Sequence, residues 1–301
     1  MASMNVIIFT MILILADVNL SAYASSGGAD KPSPPDKIIP TKHVALVQTE
    51  PYAIVDNKIY LSVIDCSIRS PVAVIFELSK DTGNAKRHSS YINDPALRKS
   101  NPHCHPITSH KFKTYQAALT AKGIAEEFDV GHLAMSNHFD GSAADSKTAN
   151  QFSNLAPQAA KFNRSGGAWY ASEMIVECHR DVEPLIVLAG VLDDPATTDR
   201  DYLVSSYGQT TADYWWKLIY WKESNVYKAW IMPNIDGSTE TALYEGKFDV
   251  PVQYLKDVLP INLHTLEQMI EAGVQQADSE FFNTEVKGRE LKCRGITTDV
   301  G

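Results

Sequence analysis

The chain has 301 residues, of which 44% are apolar and 21% are charged, a composition typical of a globular protein that can bury a sizeable core. Its net charge of −9 argues against non-specific binding to nucleic acid through bulk electrostatics, but it leaves room for a local basic cleft. The four cysteines show no Cys-x-x-Cys spacing, which disfavours a zinc site.

The first 24 residues have the pattern of an export signal. The apolar run VIIFTMILILA at 6–16 is too short to span a bilayer comfortably, and Ala22 and Ala24 supply small residues at the −3 and −1 positions of a cleavage site. No Lys or Arg precedes the run, so an uncleaved membrane anchor is the competing interpretation. A signal at 1–24 predicts a secreted or periplasmic protein with no stable membrane association after cleavage, and residues 25–42 are predicted to form a flexible leader.

The remaining chain mixes strand and helix patterns without a βαβ rhythm, which predicts an α+β fold with one domain at 43–280 and a tail at 281–301. Runs of β-branched and aromatic residues predict strands at 43–49, 59–64, 71–79, 184–192, 213–221 and 226–233. Helix-favouring composition and apolar spacing predict helices at 113–125, 143–152, 168–182, 251–258 and 264–277.

Residues 80–113 form a basic segment in this acidic chain. Seven Lys or Arg residues stand against two Asp residues, a local net charge of +5. The basic residues are Lys80, Lys86, Arg87, Arg98, Lys99, Lys111 and Lys113. A solvated loop face and a groove that faces a polyanion both fit this pattern, and the sequence leaves the two interpretations open.

An exported protein with an even number of cysteines is expected to form disulfides. Four cysteines allow three connectivities, and we favour Cys66–Cys104 with Cys178–Cys293, because each bond then ties one half of the fold. A metal cluster at 103–105, His-Cys-His, is the alternative. It is disfavoured because adjacent side chains point apart in an extended chain.

The stretch FDVGHLAMSNHFDG at 128–141 places Asp129 and His132 at the end of an apolar run. Asp-x-Gly-His alone is weak evidence, since His132 could be a core histidine bonded to a carbonyl group. The downstream stretch SNLAPQAAKFNRSGGAWYASE at 153–173 provides the context that favours a catalytic interpretation.

Together the two stretches resemble the DNA/RNA non-specific endonucleases, the sugar-nonspecific and endonuclease-G-like branch of the ββα-metal (His-Me finger) nucleases. That family carries Asp-Arg-Gly-His at a strand end, followed about thirty residues later by Ser-Asn-x-x-Pro-Gln and then by an Asn, a Trp and a Glu. Trp169 and Glu173 match the Trp and the Glu. The resemblance covers about residues 50–263 and implies a ββα-metal fold with a central, mainly antiparallel sheet flanked by helices.

Hydrolysis of a phosphodiester by water needs a base that is unprotonated at neutral pH, and imidazole suits that task. We therefore predict His132 as the general base, the role that the resemblance also implies. The family's metal-binding Asn matches Asn163, which would hold Mg²⁺, with Mn²⁺ as a substitute, while Glu173 would hold a water of the ion. Asp129 and Asn154 are expected to orient the site. The alternative for Asn163 is a loop residue before a helix.

The sequence departs from the family pattern at two points. Val130 occupies the position of the family's Arg, a cation that faces the phosphate, and Arg164 or Arg87 could supply the missing charge. Asn163 and Trp169 are also about two residues further apart than in the family. The Gly-Gly pair at 166–167 could absorb that insertion in a turn.

Two further groups of residues are predicted to be structural. His138 follows Asn137 where the family often has an Asn-His pair, and we expect it to support the fold rather than act as the base. The aromatic residues of the strand at 213–221 are expected to be core and rim packing rather than a platform for base stacking. They are Tyr214, Trp215, Trp216 and Trp221.

These observations predict an exported, Mg²⁺-dependent endonuclease that cuts DNA and RNA with little base preference, through phosphate contacts rather than groove readout. The resemblance implies products with a 5′-phosphate and a 3′-hydroxyl, and it allows a homodimer because the family includes dimers. Two alternatives remain. One is a catalytically impaired relative that binds nucleic acid or a protein partner, and the other is a phosphodiesterase for smaller substrates.

Overall fold

A computed structural model describes residues 51–106, 116–121, 123, 125–198, 209–278 and 281. The predicted signal, the leader and the predicted strand at 43–49 lie outside the described residues, as do residues 282–301 of the predicted tail. Within the described ranges the chain forms one seven-stranded sheet, one two-stranded sheet and several helices. The predicted α+β class, with a mainly antiparallel sheet flanked by helices, is confirmed.

The strands, in chain order, are β1 (Tyr52–Asp56), β2 (Leu61–Asp65), β3 (Ser70–Leu78), β4 (Phe128–His132), β5 (Leu155–Ala159), β6 (Leu185–Leu192), β7 (Tyr214–Trp221), β8 (Val226–Pro233) and β9 (Gln275–Gln276). The large sheet has the order β1-β2-β3-β6-β7-β8-β9, and its neighbours are antiparallel except for the short β8–β9 pair. Strands β2, β3, β6, β7 and β8 match the predicted strands within one or two residues. Strand β1 was not predicted. It is short and only Ala53 and Val55 of its five residues are buried, so its sequence carries a weak strand pattern.

The helices are α1 (Pro95–Ser100), α2 (116–121), α3 (Ala143–Ala149), α4 (Ala160–Asn163), α5 (Ala168–His179), α6 (Glu240–Tyr244), α7 (Val252–Val258) and α8 (His264–Glu271). Most predicted helices are therefore real but too long by several residues. The predicted helix at 264–277 ends at Glu271 because Gly273, at φ 61°, turns the chain towards β9. The face predicted for the helix at 168–182, which includes Ile175 and Cys178, is buried.

Apolar side chains pack on both faces of the large sheet. Trp215 and Trp216 are adjacent in β7 and therefore point to opposite faces. Trp215 belongs to the core beneath α5, where it meets Trp169, and Trp216 belongs to the core covered by α7 and α8. The predicted core role of the tryptophans is confirmed, since Trp221 is buried as well, while Tyr214 at the strand start is 39% exposed.

The two-stranded sheet of β4 and β5 carries Asp129 and His132 and forms a separate ladder from the large sheet, although its apolar side chains share the core beneath α5. Its register pairs Asp129 with Gln158 and His132 with Leu155. Side-chain hydrogen bonds of Asn234 join it to the end of β8: the amide N–H of Ala159 donates to Asn234 Oδ1 at 2.8 Å, and Asn234 Nδ2 donates to the Pro157 carbonyl at 3.2 Å. Among the described residues no strand ladder connects the two sheets.

The disulfide Cys66–Cys104 is present, as predicted. His103 lies close to these sulfurs, but the bond consumes both of them. Both ring nitrogens of His105 have backbone partners, the Asp94 amide and the Pro106 carbonyl, which argues against a metal cluster at 103–105. The second predicted pair requires Cys293, which lies outside the described residues. No helix within the described ranges is long and apolar enough to cross a membrane.

Candidate active site

Strand β4 carries Asp129 near its start and His132 at its end, and Gly131 between them allows the close approach of β5. A Cβ atom at Gly131 would lie 2.1 Å from Oε1 and 2.6 Å from Cβ of Gln158, so only glycine fits there without a shift. The Gly of the Asp-x-Gly-His motif therefore has a packing reason that is independent of catalysis.

His132 is buried, and its ring orientation is fixed by Asn150. Nδ2 of Asn150 donates to the carbonyl groups of His88 at 2.7 Å and Ser90 at 3.4 Å, so Oδ1 of Asn150 faces the imidazole Nε2 at 2.8 Å. An amide oxygen can only accept, which puts the proton of the neutral ring on Nε2 and leaves Nδ1 as the basic nitrogen. Within the described residues Nδ1 has no hydrogen-bond partner, and its surface is not fully enclosed by other atoms.

The pKa of His132 is lowered to about 4. Burial is the main cause, and the positive charge of Arg87 adds to it, while the hydrogen bond to Asn150 opposes both. The imidazole is consequently neutral at pH 7 and available to accept a proton.

Asn163 ends α4 and faces the same space. Its Nδ2 donates to Asp129 Oδ2 at 3.0 Å, which turns the amide oxygen away from Asp129. That oxygen has no hydrogen-bond partner among the described residues. The carboxylate of Asp129 also accepts two bonds from Arg164, at 2.8 and 3.0 Å, so that Asp129 holds both side chains in place.

Glu173 is buried on α5, and its Oε1 accepts a hydrogen bond from Trp169 Nε1 at 3.1 Å. The same indole N–H also points at the carbonyl oxygen of His132, at 3.1 Å. Burial raises the pKa of Glu173 to about 7, and the charge of Lys217 and the bond from Trp169 oppose that shift. Trp169 thus ties the acid on α5 to the histidine on β4.

These side chains line one cavity of about 540 Å³. Six of the seven residues predicted from the sequence contribute to its wall: Arg87, Asp129, His132, Asn163, Arg164 and Glu173. The rings of Tyr91 and Tyr170 line it too. The cavity therefore combines a neutral imidazole, an amide oxygen, two carboxylates and two guanidinium groups, the set needed to bind and hydrolyse a phosphodiester.

Asn154, the seventh predicted residue, does not line the cavity. It is buried behind it, where Oδ1 accepts from the Ala134 amide and Nδ2 donates to the carbonyl groups of Ala134 and Ala149, each at 2.8 Å. These three bonds clamp the turn that follows His132. The orienting role of Asn154 stays a prediction.

The two candidate arginines differ in their surroundings. The guanidinium of Arg164 is engaged by Asp129 and, at 3.3 Å, by Glu127. Arg87 has no ion pair among the described residues, and its charge acts on His132 and Glu173. Val130, the residue in place of the family's Arg, lines the cavity with an apolar side chain. Of the two arginines, Arg87 is the one whose charge is available to a bound anion.

The structure describes five of the seven basic residues of the segment at 80–113, and all five are exposed. Lys80, Lys86, Arg98 and Lys99 have exposed side chains, and Lys111 and Lys113 lie outside the described residues. Only Arg87 among the described basic residues of the segment lines the cavity. The solvated-face interpretation fits the exposed lysines and Arg98, and the anion-facing interpretation fits Arg87.

The Gly pair between Asn163 and Trp169 forms a turn, as predicted. Gly166 adopts φ 91°, a conformation that favours glycine, and a Cβ atom on Gly167 would lie 2.1 Å from the Phe162 carbonyl oxygen. The two extra residues are absorbed before α5 begins, so Asn163 and Glu173 still share the cavity.

His138 lies outside this cavity. It is buried at 2% exposure, contacts the ring of Phe76 at 6.0 Å between centroids, and lines a second cavity of about 390 Å³ that Arg180 also reaches. Burial lowers the pKa of His138 well below its ordinary value. This environment is the one expected for a structural histidine.

Sequence reasoning missed two residues that shape the site, Asn150 and Lys217. Asn150 orients the histidine, and Lys217 is a fully buried lysine beneath Trp169. A lysine in the middle of the apolar run DYWWKLIYW was the available signal for Lys217, since charged side chains are rarely buried without a partner. No local pattern singles out Asn150.

Comparison with known proteins gives one family and one fold. Residues 45–264 match the family described as DNA/RNA non-specific endonuclease. The fold is similar to that of a chain in a solved structure titled "Crystal structure of the EndoG/EndoGI complex: Mechanism of EndoG inhibition". The two chains superpose with a TM-score of 0.53 and are 18% identical in sequence. The superposition covers 71% of this chain and 86% of that chain. At this identity the superposition supports the fold alone. No curated protein sequence matches the chain.

Proposed function

Because the chain belongs to the DNA/RNA non-specific endonuclease family and is therefore a nuclease that hydrolyses phosphodiester bonds, we propose that it is an exported, Mg²⁺-dependent enzyme with His132 as its general base. The observation that carries this proposal is the convergence of His132, Asn163, Glu173 and Arg87 on one cavity, although they come from four separate segments. The ββα unit of the fold consists of β4, β5 and α5.

His132 is suited to activate water through Nδ1. In the proposed step a water proton passes to Nδ1 while the water oxygen attacks phosphorus, the bond from phosphorus to the 3′ oxygen breaks, and the leaving oxygen takes a proton from solvent. The products carry a 5′-phosphate and a 3′-hydroxyl. The hydrogen bond from Nε2 to Asn150 supports this role because it holds the reactive nitrogen in its unprotonated form.

The residues around Asn163 fit a hydrated magnesium ion. The amide oxygen of Asn163 has no hydrogen-bond partner among the described residues, Asp129 fixes the amide orientation, and the Glu173 carboxylate lines the same cavity. Mg²⁺ prefers oxygen ligands and keeps several waters, so one direct protein ligand suffices. When bound, such an ion would stabilise negative charge on the phosphate and the leaving oxygen. Asn163 would bind the ion, and Glu173 would hold its hydration shell.

Arg87 is the proposed phosphate-binding cation. It faces the cavity without an ion pair among the described residues, whereas Arg164 is held by two carboxylates. A guanidinium group that contacts a phosphate forms charge-assisted hydrogen bonds to it. On this proposal Arg87 takes over the role of the missing Arg at position 130, and Arg164 acts by keeping Asp129 and Asn163 in place.

Export is proposed from two observations. Residues 1–24 have the pattern of a cleaved signal, and the Cys66–Cys104 disulfide requires an oxidising compartment to persist. A secreted or periplasmic nuclease would meet DNA and RNA released from cells.

The test is nicking of supercoiled plasmid and cleavage of RNA by the purified mature protein, with and without a chelator. We expect both activities with Mg²⁺ or Mn²⁺, and loss of both in EDTA. His132→Ala should reduce the rate by about 100- to 10,000-fold, the usual contribution of a general base. Cleavage that survives EDTA would exclude the metal assignment, and a wild-type rate in His132→Ala would exclude the base assignment.

One observation favours a second candidate, a catalytically impaired relative that binds nucleic acid. Val130 presents an apolar side chain to the cavity where the family has a cation. Salt-sensitive binding of plasmid without nicking would identify this alternative. In that case Val130→Arg is the variant expected to gain activity.

A further inference from the structure

Lys217 is a buried cation directly beneath the candidate site. It lies in the middle of β7, between Trp216 and Leu218, and is 1% exposed. Its Nζ donates to Ser172 Oγ at 2.8 Å, and no carboxylate forms an ion pair with it within the described residues. A buried ammonium group is costly unless nearby groups stabilise its charge, so this position calls for an explanation.

Trp169 stabilises the charge of Lys217 through its ring. Nζ of Lys217 lies 3.7 Å from the centroid of the indole ring, which is a cation–π contact. The N–H at the edge of the same indole is shared between the His132 carbonyl oxygen and Glu173 Oε1, both at 3.1 Å. The ring is thus placed between a cation and two oxygen acceptors. Polarisation of the indole by the cation makes its N–H a stronger donor.

Lys217 and Glu173 also interact directly through their opposite charges. Glu173 is buried, so its carboxylate is destabilised by the loss of water, and the charge of Lys217 opposes that loss. The interaction is mutual, since Glu173 favours the charged form of Lys217. Arg87 is the other cation that acts on Glu173, and it lines the cavity in an exposed position. His138 also lies near Lys217 and is kept neutral by burial, so it adds no competing charge.

We propose that Lys217 is a positioning residue for the site: its charge lies over the Trp169 ring, whose N–H joins Glu173 to the His132 carbonyl oxygen, and it favours the carboxylate form of Glu173 and its alignment with His132, so that the cavity can bind a divalent cation. The inference rests on the proposed function, because it assumes that Glu173 serves the cation. Lys217 touches neither substrate nor cation and acts only through Trp169 and Glu173.

The experiment is a double-mutant cycle between positions 217 and 173, read out in two ways. Lys217→Met removes the charge and keeps a chain of similar length, Glu173→Gln removes the opposing charge, and the double variant removes both. The first readout is thermal unfolding of the metal-free protein. The second is the dissociation constant for Mn²⁺, measured by calorimetry on the folded variants.

In thermal unfolding we expect Lys217→Met to be destabilised in the presence of Glu173, because it leaves a buried carboxylate without its compensating charge. The double variant should recover at least half of the lost melting temperature. If Lys217→Met does not fold, a double variant that folds still shows the coupling, because removal of the Glu173 charge has then restored the fold. The melting temperature of Glu173→Gln is its reference. Equal effects of Lys217→Met in the wild-type and Glu173→Gln backgrounds would overturn the proposal, since they would show that Lys217 acts on packing alone.

In the binding experiment we expect Lys217→Met to weaken Mn²⁺ binding at pH 7 by at least tenfold and to have no further effect in the Glu173→Gln background. Ser172→Ala is the matched variant, because it removes the hydrogen-bond partner of Nζ but keeps the charge over Trp169, and it should weaken binding by less than threefold. Wild-type affinity in a folded Lys217→Met protein would contradict the inference. Absence of cleavage by the wild-type protein would contradict the proposed function instead, and the unfolding cycle would still test the coupling.

Discussion

Nε2 of His132 donates a hydrogen bond to Oδ1 of Asn150 at 2.8 Å, and the other end of the Asn150 amide is anchored on the carbonyl groups of His88 and Ser90. The imidazole therefore has one fixed tautomer. This relationship decides which nitrogen of His132 can take a proton, and it provides the first prediction.

The activity should persist into acidic solution. Protonation of His132 would remove the proposed base, so we expect the rate to fall as the pH drops through its pKa, which burial lowers to about 4. At saturating Mg²⁺ we expect the acid limb of the kcat profile near that pKa rather than near the ordinary value of about 6.5 for histidine. Asn150→Asp places a negative charge beside Nε2–H and should move that limb to higher pH by a unit or more. If the acid limb stays at the same pH in Asn150→Asp, that limb does not report the titration of His132.

Arg87→Ala should lower kcat/KM for duplex DNA by about ten- to a hundredfold, because it removes a charge-assisted hydrogen bond worth about 1.5–3 kcal/mol. Lys86→Ala is the matched control, since Lys86 is an exposed neighbour of the same charge that does not line the cavity. Its kcat/KM should stay within about threefold of wild type at about 150 mM salt, where exposed charges are largely screened. Equal losses of kcat/KM in the two variants would mean that Arg87 acts only by attracting the polyanion through its charge.

Asn163→Ala should abolish cleavage at ordinary Mg²⁺ concentrations, because it removes the oxygen proposed to bind the ion. Asn163→Asp keeps an oxygen at that place and should retain part of the activity, with an altered Mg²⁺ requirement. The measurement is the rate of plasmid nicking as a function of Mg²⁺ concentration. Arg164→Ala frees Asp129 and should raise the required Mg²⁺ concentration with a smaller effect on kcat. An Asn163→Ala enzyme with wild-type Mg²⁺ dependence would move the ion to another site.

Gly131→Ala should destabilise the fold by about 1–3 kcal/mol, because the added methyl group meets Gln158 and forces β4 and β5 apart. Gly141→Ala is the control: a Cβ atom at Gly141 has no neighbour within 4 Å, and the free energy of unfolding should change by less than about 0.5 kcal/mol. Chemical denaturation of the two variants compares them directly. A Gly131→Ala protein as stable as wild type would mean that Gln158 moves aside at no cost.

The sequence predicted most of the cavity residues because the motifs on β4 and around α4 and α5 follow the order of the family, although Asn163 and Trp169 are about two residues further apart. His132 and Asn163 are far apart in the chain, yet pairing of β4 with β5 and the turn at Gly166 bring them to one cavity.

Other features depend on tertiary contacts that no local pattern records. Arg164 and Arg87 were equivalent in the sequence, and only the position of Asp129 and Glu127 distinguishes them. Helix ends were predicted too late because a glycine or a strand partner stops the helix before its composition changes, as Gly273 does after α8. Lys217 was hidden among aromatic residues whose burial only the folded sheet reveals.

The separation of the two sheets has a consequence for local motion. The proposed base, His132, is carried by a two-stranded ribbon that Asn234 joins to the main sheet through side-chain hydrogen bonds. Such a ribbon can open while the seven-stranded sheet stays intact. Backbone amides of β4 should then exchange with deuterium faster than those of β6, and catalysis should fail on warming some degrees before the whole molecule unfolds.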